Sequence, residues 1–170
     1  MAQKVLVIGG GFAGIRTAQR LAGDSAFSLT LVSPRPWLEY YGSLYRIIRS
    51  DAFSRVCLLL SELLPRSVAV MIDTIESVDT AKKVAQGRLG TYAYDIVVLA
   101  PGAEPAYFGI PGMKEHALTM GHVGEAVHLR RHFDALLTGH HTLPQHEKET
   151  SERVVVIGGG PTGVETAAEL

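Results

Sequence analysis

The chain alternates between short unbroken apolar runs and longer stretches whose apolar residues recur at helical spacing. Residues 4–8 (Lys-Val-Leu-Val-Ile) have no polar interruption after the lysine, the pattern of a strand buried on both faces of a parallel sheet. Glycines follow at once. Ile15, Ala18, Leu21 and Ala22 then recur at steps of three and four, which predicts a helix, and Gly23 is placed to stop it. Residues 28–32 (Ser-Leu-Thr-Leu-Val) predict a second strand, ended by Ser33-Pro34-Arg35-Pro36. Residues 4–33 therefore read as one β-α-β unit of about 30 residues.

Further on, Leu44, Ile47 and Ile48, then Leu59, Leu60, Leu63 and Leu64, predict two short helices between Tyr41 and Pro65. Residues 68–72 and 75–78 and Val84 are short β-type pieces, with turn signals at Asp79-Thr80 and residues 87–90, as in a small antiparallel meander. Residues 96–100 form another fully apolar predicted strand, closed by Pro101-Gly102. A helix over 123–137 is expected to turn Val123, Val127, Leu129, Phe133, Leu136 and Leu137 inward. Residues 138–152 are polar and His-rich and make the best linker, and residues 154–157 start a fresh buried strand before a second glycine cluster. The fold class is α/β, a parallel sheet with a small antiparallel meander.

Composition narrows the function classes. With 46% hydrophobic and 19% charged residues in 170, the chain has the make-up of a globular protein rather than a disordered one. Its 16 Lys and Arg are offset by 17 acids, so no electrostatic footprint for nucleic acid exists. No apolar run reaches the length of a membrane span. The first apolar run is broken by a triple glycine with no small-residue cleavage site after it, so the chain reads as intracellular.

Gly9-Gly10-Gly11-Phe12-Ala13-Gly14 fits G-x-G-x-x-G directly after a predicted strand and at the opening of a predicted helix. The first glycine permits a tight turn, the second lets the backbone approach a pyrophosphate, and the third lets helix and strand pack closely. The free N–H groups and partial positive charge of the helix N-terminus favour the phosphates. Gly158-Gly159-Gly160-Pro161-Thr162-Gly163 repeats the pattern after Val-Val-Val-Ile, with Pro161 near the first helical turn. One such hexamer is a weak signal; two, each in strand-turn-helix context, are a strong one. Neither continues to Gly-Lys-Ser/Thr, which excludes a P-loop.

The acidic residue usual at the end of the second strand, which meets a ribose hydroxyl, is Ser33 here, with Arg35 beyond it. Loss of the carboxylate beside an arginine suits a 2′-phosphate and hence NADP. Equally, Ser33 and Arg35 suit the ADP half of FAD, through a hydroxyl hydrogen bond and guanidinium contacts. NADH and NADPH are not distinguished at the second copy, whose deciding position falls after Leu170.

Residues 5–14, 94–103, 108–112 with 115–118, and 154–170 together resemble the pyridine-nucleotide-dependent flavoprotein oxidoreductases with two dinucleotide-binding domains, most closely the type II NADH dehydrogenase-like branch. The resemblance implies that Gly9, Gly11, Phe12, Ala13 and Gly14 contact FAD phosphates, Ser33 and Arg35 its adenosine end, and the Ile75 backbone the adenine. It further implies that Ala100 and Gly102 lie near FAD, and that Gly158, Gly160 and Gly163 hold NAD(P)H. Glu165 resembles the glutamate that approaches the nicotinamide and flavin rings; its plain alternative is a helix N-terminal carboxylate stabilised by the dipole. Pro101 departs from the family's usual threonine, as Ser33 departs from the usual acid.

By the same resemblance the fold is a truncated Rossmann-like FAD/NAD(P)-binding one, and the activity is hydride transfer from NAD(P)H to FAD and onward to a small-molecule acceptor, quinone first. The implied partners are that acceptor, a peripheral membrane contact through C-terminal sequence, and a second copy in a homodimer. The implied location is cytoplasmic, peripheral on the cytoplasmic face of the membrane for the full-length protein. The alternatives are a catalytically incomplete nucleotide-binding fragment and a ferredoxin reductase-type flavoprotein. Residues 1–115 are expected to form the N-terminal part of the FAD domain, and 116–170, including the linker at 138–152, the start of the NAD(P)H domain. On that spacing 170 residues mark a truncation rather than a domain size.

The remaining residues weigh against other chemistry. The single cysteine, Cys57, has no internal bridge partner, and residues 37–50, where related disulfide reductases carry a dithiol, contain none; Cys57 reads as an inert, small buried hydrophobe. His128 and His132, at i and i+4, lack a carboxylate or cysteine at matching spacing and read as exposed or capping, so no metal is expected. His140, His141 and His146 read as linker polarity. Trp37, Tyr40, Tyr41 and Tyr45 suit either a flavin or acceptor pocket or plain core packing.

Overall fold

The computed structural model describes residues 1–142 and 154–170, with side chains for 1–138 and 154–170. The chain divides into two compact units, residues 1–39 with 57–103, and residues 40–56 with 104–170.

The first unit is built on a parallel sheet of four strands in the order β5-β2-β1-β9: β1 (Gln3–Ile8), β2 (Phe27–Ser33), β5 (Val68–Ile72) and β9 (Ile96–Leu99). β1 pairs in parallel with both β2 and β9, running Val5 beside Leu29 and Ile96. Its unbroken apolar run has a direct cause. Val5 and Val7 point to one face, packed with Ile15 and Ala18 of α1 (Phe12–Leu21) and with Leu60 and Leu64. Leu6 points to the other, packed with Val32, Ala85 and Tyr94. A strand covered on both faces has no solvent side to keep polar.

The second cover is the antiparallel meander β6 (Ile75–Asp79), β7 (Val84–Gly87) and β8 (Thr91–Ala93). The 68–72 run, grouped with the meander on its sequence pattern, instead joins the parallel sheet, with Leu29 beside Val68 and Ser33 beside Ile72. A short ladder that the pattern does not signal also forms: β3 (Trp37–Glu39) pairs antiparallel with β4 (Cys57–Leu59). The second of the two helices expected between Tyr41 and Pro65 therefore shrinks to α3 (Leu60–Leu63), because Leu59 is spent on the ladder.

In the second unit a 3-10 helix (Tyr41–Ile47) and α2 (Phe53–Val56) pack with α5 (Val123–Thr142) around Leu44, Ile47, Val56 and Ala126. The one-turn helix α4 (Met113–His116) precedes α5 in the chain. α5 is capped reciprocally: the Glu125 N–H donates to His122 Nδ1 at 3.2 Å, and the Glu125 carboxylate accepts from the Gly121 N–H at 2.6 Å. The helix continues through Thr142, so the first residues expected as linker are helical; the rest of that stretch, His146 included, lies outside the described residues. Leu137 is exposed rather than inward. The last helix is α6 (Pro161–Glu169). Val154, Val155, Val156 and Ile157 are not the buried strand expected; they pair with no strand among the described residues and lie 49%, 70%, 38% and 64% exposed. β-branched residues make a strand only where a neighbouring strand takes their backbone groups. Among the described residues no helix is long and apolar enough to cross a membrane.

Candidate functional site

β1 delivers the chain to the first glycine turn. The Gly9 N–H donates to the Val32 carbonyl at 2.8 Å and the Ala100 N–H to the Ile8 carbonyl at 2.8 Å, so the turn sits between the ends of β2 and β9. Gly9 has φ +117°, and a Cβ there would overlap the Ala100 carbonyl oxygen. A Cβ on Gly14 would overlap the Gly9 carbonyl oxygen, which is the close helix-to-strand approach expected of the last glycine. Gly11 differs. It is the N-cap of α1 in ordinary extended backbone (φ −83°, ψ −175°), and an added Cβ would meet nothing of the protein within 4 Å.

The protein therefore gives no reason of its own for glycine at 11; the open space in front of it does. Among the described residues α1 has no side-chain cap hydrogen bond and no acid in its first turn, the kind of helix end that favours an anion. A cradle that a Cβ would fill, at an uncapped helix N-terminus, fits a dinucleotide pyrophosphate. Phe12 and Ala13 are exposed at its rim.

The second turn repeats this geometry. Gly158 has φ +120°, Gly160 is the N-cap of α6 at φ −76° and ψ 174°, and a Cβ on Gly163 would overlap the Gly158 carbonyl oxygen. The Val164 N–H closes on the Gly160 carbonyl at 3.1 Å, as the Ile15 N–H does on Gly11 at 3.0 Å. α6 likewise has no side-chain cap and no acid in its first turn. Glu165 is half-buried and lies past that first turn, which removes the helix-dipole explanation for it.

At the end of β2, Ser33 is buried and its Oγ stands against Gly10, where a Cβ would crowd it. The Arg35 N–H donates to Ser33 Oγ at 3.4 Å. The Arg35 guanidinium is held by Glu39, Nη1 to Oε1 3.2 Å, and Glu39 is buried on β3. Ser33, Arg35, Gly9–Gly14 and Ala100 are thus brought together. Ile75 opens β6, half-buried and paired with Gly87. Gly102 has φ +86° and open surroundings. Gly158, Gly160, Gly163 and Glu165 belong to the second unit.

Two residues that the sequence pattern does not single out organise this region. Glu39 is one, an acid inside an apolar-aromatic run four residues after Arg35; that i+4 pairing was its only signal. Asp73 is the other. It is buried between β5 and β6, accepts the N–H of Thr74, Arg88 and Leu89 and the Tyr92 hydroxyl at 2.7 to 3.2 Å, and so anchors the β7–β8 turn. Burial pushes its carboxyl up, but those four donors outweigh it and hold the group below the ordinary carboxylate value.

Cys57, opposite Glu39 in the β3–β4 ladder, is half-buried. Burial and the Glu39 charge push its thiol up, with Arg35 opposing, which is the environment of an unreactive cysteine. His128 and His132 are exposed on α5, and no cluster of three metal-ligating side chains occurs among the described residues. Tyr40 and Tyr41 are exposed, Tyr45 lies under the Arg46 guanidinium at 5.4 Å, and the buried Trp37 indole N–H has no acceptor among the described residues.

The family model described as pyridine nucleotide-disulphide oxidoreductase matches residues 3–170. The chain is 30% identical to a type II NADH:quinone oxidoreductase of Staphylococcus haemolyticus and 28% identical to that of Staphylococcus epidermidis. In both cases the match covers 99% of this chain, which spans 43% of the relative's length. Among solved structures, NDH2 of Plasmodium falciparum in complex with NADH superposes with a TM-score of 0.85 at 24% identity, covering 99% of this chain and 36% of that one. That likeness shows the fold.

Proposed function

This chain belongs to the pyridine nucleotide-disulphide oxidoreductase family, and from that premise we propose that it carries the FAD site and the opening of the NAD(P)H site of an enzyme that reduces a quinone. Residues 1–115 are assigned to the N-terminal part of the FAD domain and 116–170, including 138–152, to the start of the NAD(P)H domain. The observation that carries the reading is the duplicated turn: a left-handed first glycine, an extended third glycine capping an uncapped helix, and a last glycine against the first carbonyl, twice in one chain.

When bound, FAD supplies the hydride-accepting ring and NAD(P)H the hydride. The chain's own residues bind and orient. Gly9, Gly11 and Gly14 bring the backbone of Phe12 and Ala13 to the FAD pyrophosphate. Ser33 and Arg35 hold its adenosine end, the Ile75 backbone meets adenine, and Ala100 and Gly102 run beside the nucleotide. Gly158, Gly160 and Gly163 hold NAD(P)H, and Glu165 is assigned to the meeting point of the two rings. The quinone is supported by the names of the staphylococcal relatives.

Reconstitution with FAD followed by anaerobic NADH tests this. The flavin absorbance should bleach and return on adding a quinone faster than on adding a ferredoxin. A protein that stays colourless after FAD addition contradicts the FAD assignment, and faster reoxidation by ferredoxin contradicts the quinone.

A further inference from the structure

We propose that Glu39, through its ion pair with Arg35, makes the adenosine end of the first glycine turn select a plain ribose over one carrying a 2′-phosphate. The inference rests on the FAD reading of that turn and goes beyond it, because Ser33 and Arg35 alone fit either nucleotide.

The side chain of Glu39 is 4% exposed and that of Arg35 is 41% exposed, with Nη1 and Oε1 3.2 Å apart. One nitrogen of the guanidinium is therefore anchored on a buried carboxylate while the Arg35 side chain as a whole stays partly exposed. Arginine has five donors, so a bond at one nitrogen leaves others for a ligand. The anchor is itself fixed, since Glu39 sits in the β3–β4 ladder opposite Cys57. Arg35 is fixed from the other side. Pro34 and Pro36 restrict its backbone, its N–H bonds Ser33 Oγ, and that hydroxyl stands on Gly10 of the turn. A continuous line of contacts thus runs from the glycine turn through Ser33 and Arg35 to Glu39.

Two consequences follow for a ligand. The guanidinium is ordered before anything binds, which removes the cost of immobilising a long side chain. It is also neutralised. A buried carboxylate keeps its counter-ion close, because leaving either partner unpaired is costly. The shared influence on Cys57, which Glu39 pushes up and Arg35 pushes down, reflects the two opposed charges side by side. A pair of zero net charge donates hydrogen bonds to a ribose and a diphosphate but supplies no spare positive charge for an additional dianion. A lone arginine at the same place does.

Competition of ADP and 2′-phospho-ADP, which differ only in the 2′-phosphate, against FAD, followed by flavin fluorescence, tests the proposal. The unmodified protein should bind FAD and prefer ADP. Glu39→Gln should shift the ratio toward 2′-phospho-ADP at least fivefold and weaken FAD, and should shift nothing when added to Arg35→Gln. A loss of packing alone would weaken both competitors together. An unchanged ratio in E39Q, or the same shift with and without Arg35, overturns the proposal. Should E39Q fail to fold, R35Q decides: ADP affinity falls at least fivefold, and an unchanged affinity overturns it. An unmodified protein that binds neither FAD nor ADP overturns the FAD reading itself and this inference with it, a result distinct from one in which FAD binds and the ratio stays put.

Discussion

The glycines of the first turn separate into two physical kinds. Gly9 and Gly14 are required by the protein, since a Cβ at either would overlap a backbone carbonyl. Gly14→Ala should therefore cost more than about 2 kcal/mol in thermal or urea unfolding, while Gly23→Ala, with nothing within 4 Å, should stay within about 0.5 kcal/mol. Gly11 has open space before it, so no neighbour within the protein demands glycine there, and its role in the proposed site is to admit the nucleotide. The motif G-x-G-x-x-G announces all of them at once, and only the backbone angles and neighbours tell them apart. Glu39 was not legible because its role depends on β3 folding back beneath Arg35, a tertiary event that a one-dimensional pattern does not encode. Cys57 is half-buried rather than the buried hydrophobe expected, and the raised thiol predicts slower alkylation at neutral pH than an unstructured cysteine peptide. Alkylation as fast as the peptide would contradict that environment.

At the level of elements, apolar runs located every strand of the parallel sheet, yet 68–72 was grouped with the wrong partners. Periodicity records burial, and β5 is a short run at the sheet edge whose pattern resembles the meander strands that follow it. Which sheet it joins is decided by the register of Val68 beside Leu29. The central strands should be the most sensitive: Leu31, fully buried on β2, should cost about 2–5 kcal/mol on truncation to alanine in denaturant unfolding. The meander should carry an acid-sensitive part of the stability. Asp73 titrates lower in the folded protein than in the unfolded chain, where the value is about 3.9. Its contribution is present above that unfolded value and is lost as pH falls through the lower folded one. Asp73→Asn should lower stability at neutral pH and flatten its decline in acid, as read by melting temperature against pH; a variant with the parent's acid slope would contradict this. Residues 154–157 teach the complementary lesson, that an apolar β-branched run predicts a strand only in the presence of a partner.

For the whole molecule, two copies of one turn in one chain are what connect the sequence to its family, and both copies were legible because glycine spacing is a local property. Legible too was the α/β class. How the chain divides was less so: residues 40–56 leave the first unit and pack with α5, where the Arg130 guanidinium meets Asp51 at 2.7 Å. A segment that departs and returns leaves no mark in local pattern. The proposed fit of the first turn to a dinucleotide pyrophosphate turns on the open space before Gly11. The direct measurement is FAD titration of the unmodified protein and of Gly11→Ala, each paired with a melting curve. The unmodified protein should bind FAD saturably, Gly11→Ala at least about tenfold more weakly, about 1.4 kcal/mol, and both should melt at the same temperature without ligand. Equal FAD affinity in the two proteins, or no binding by either, would contradict it.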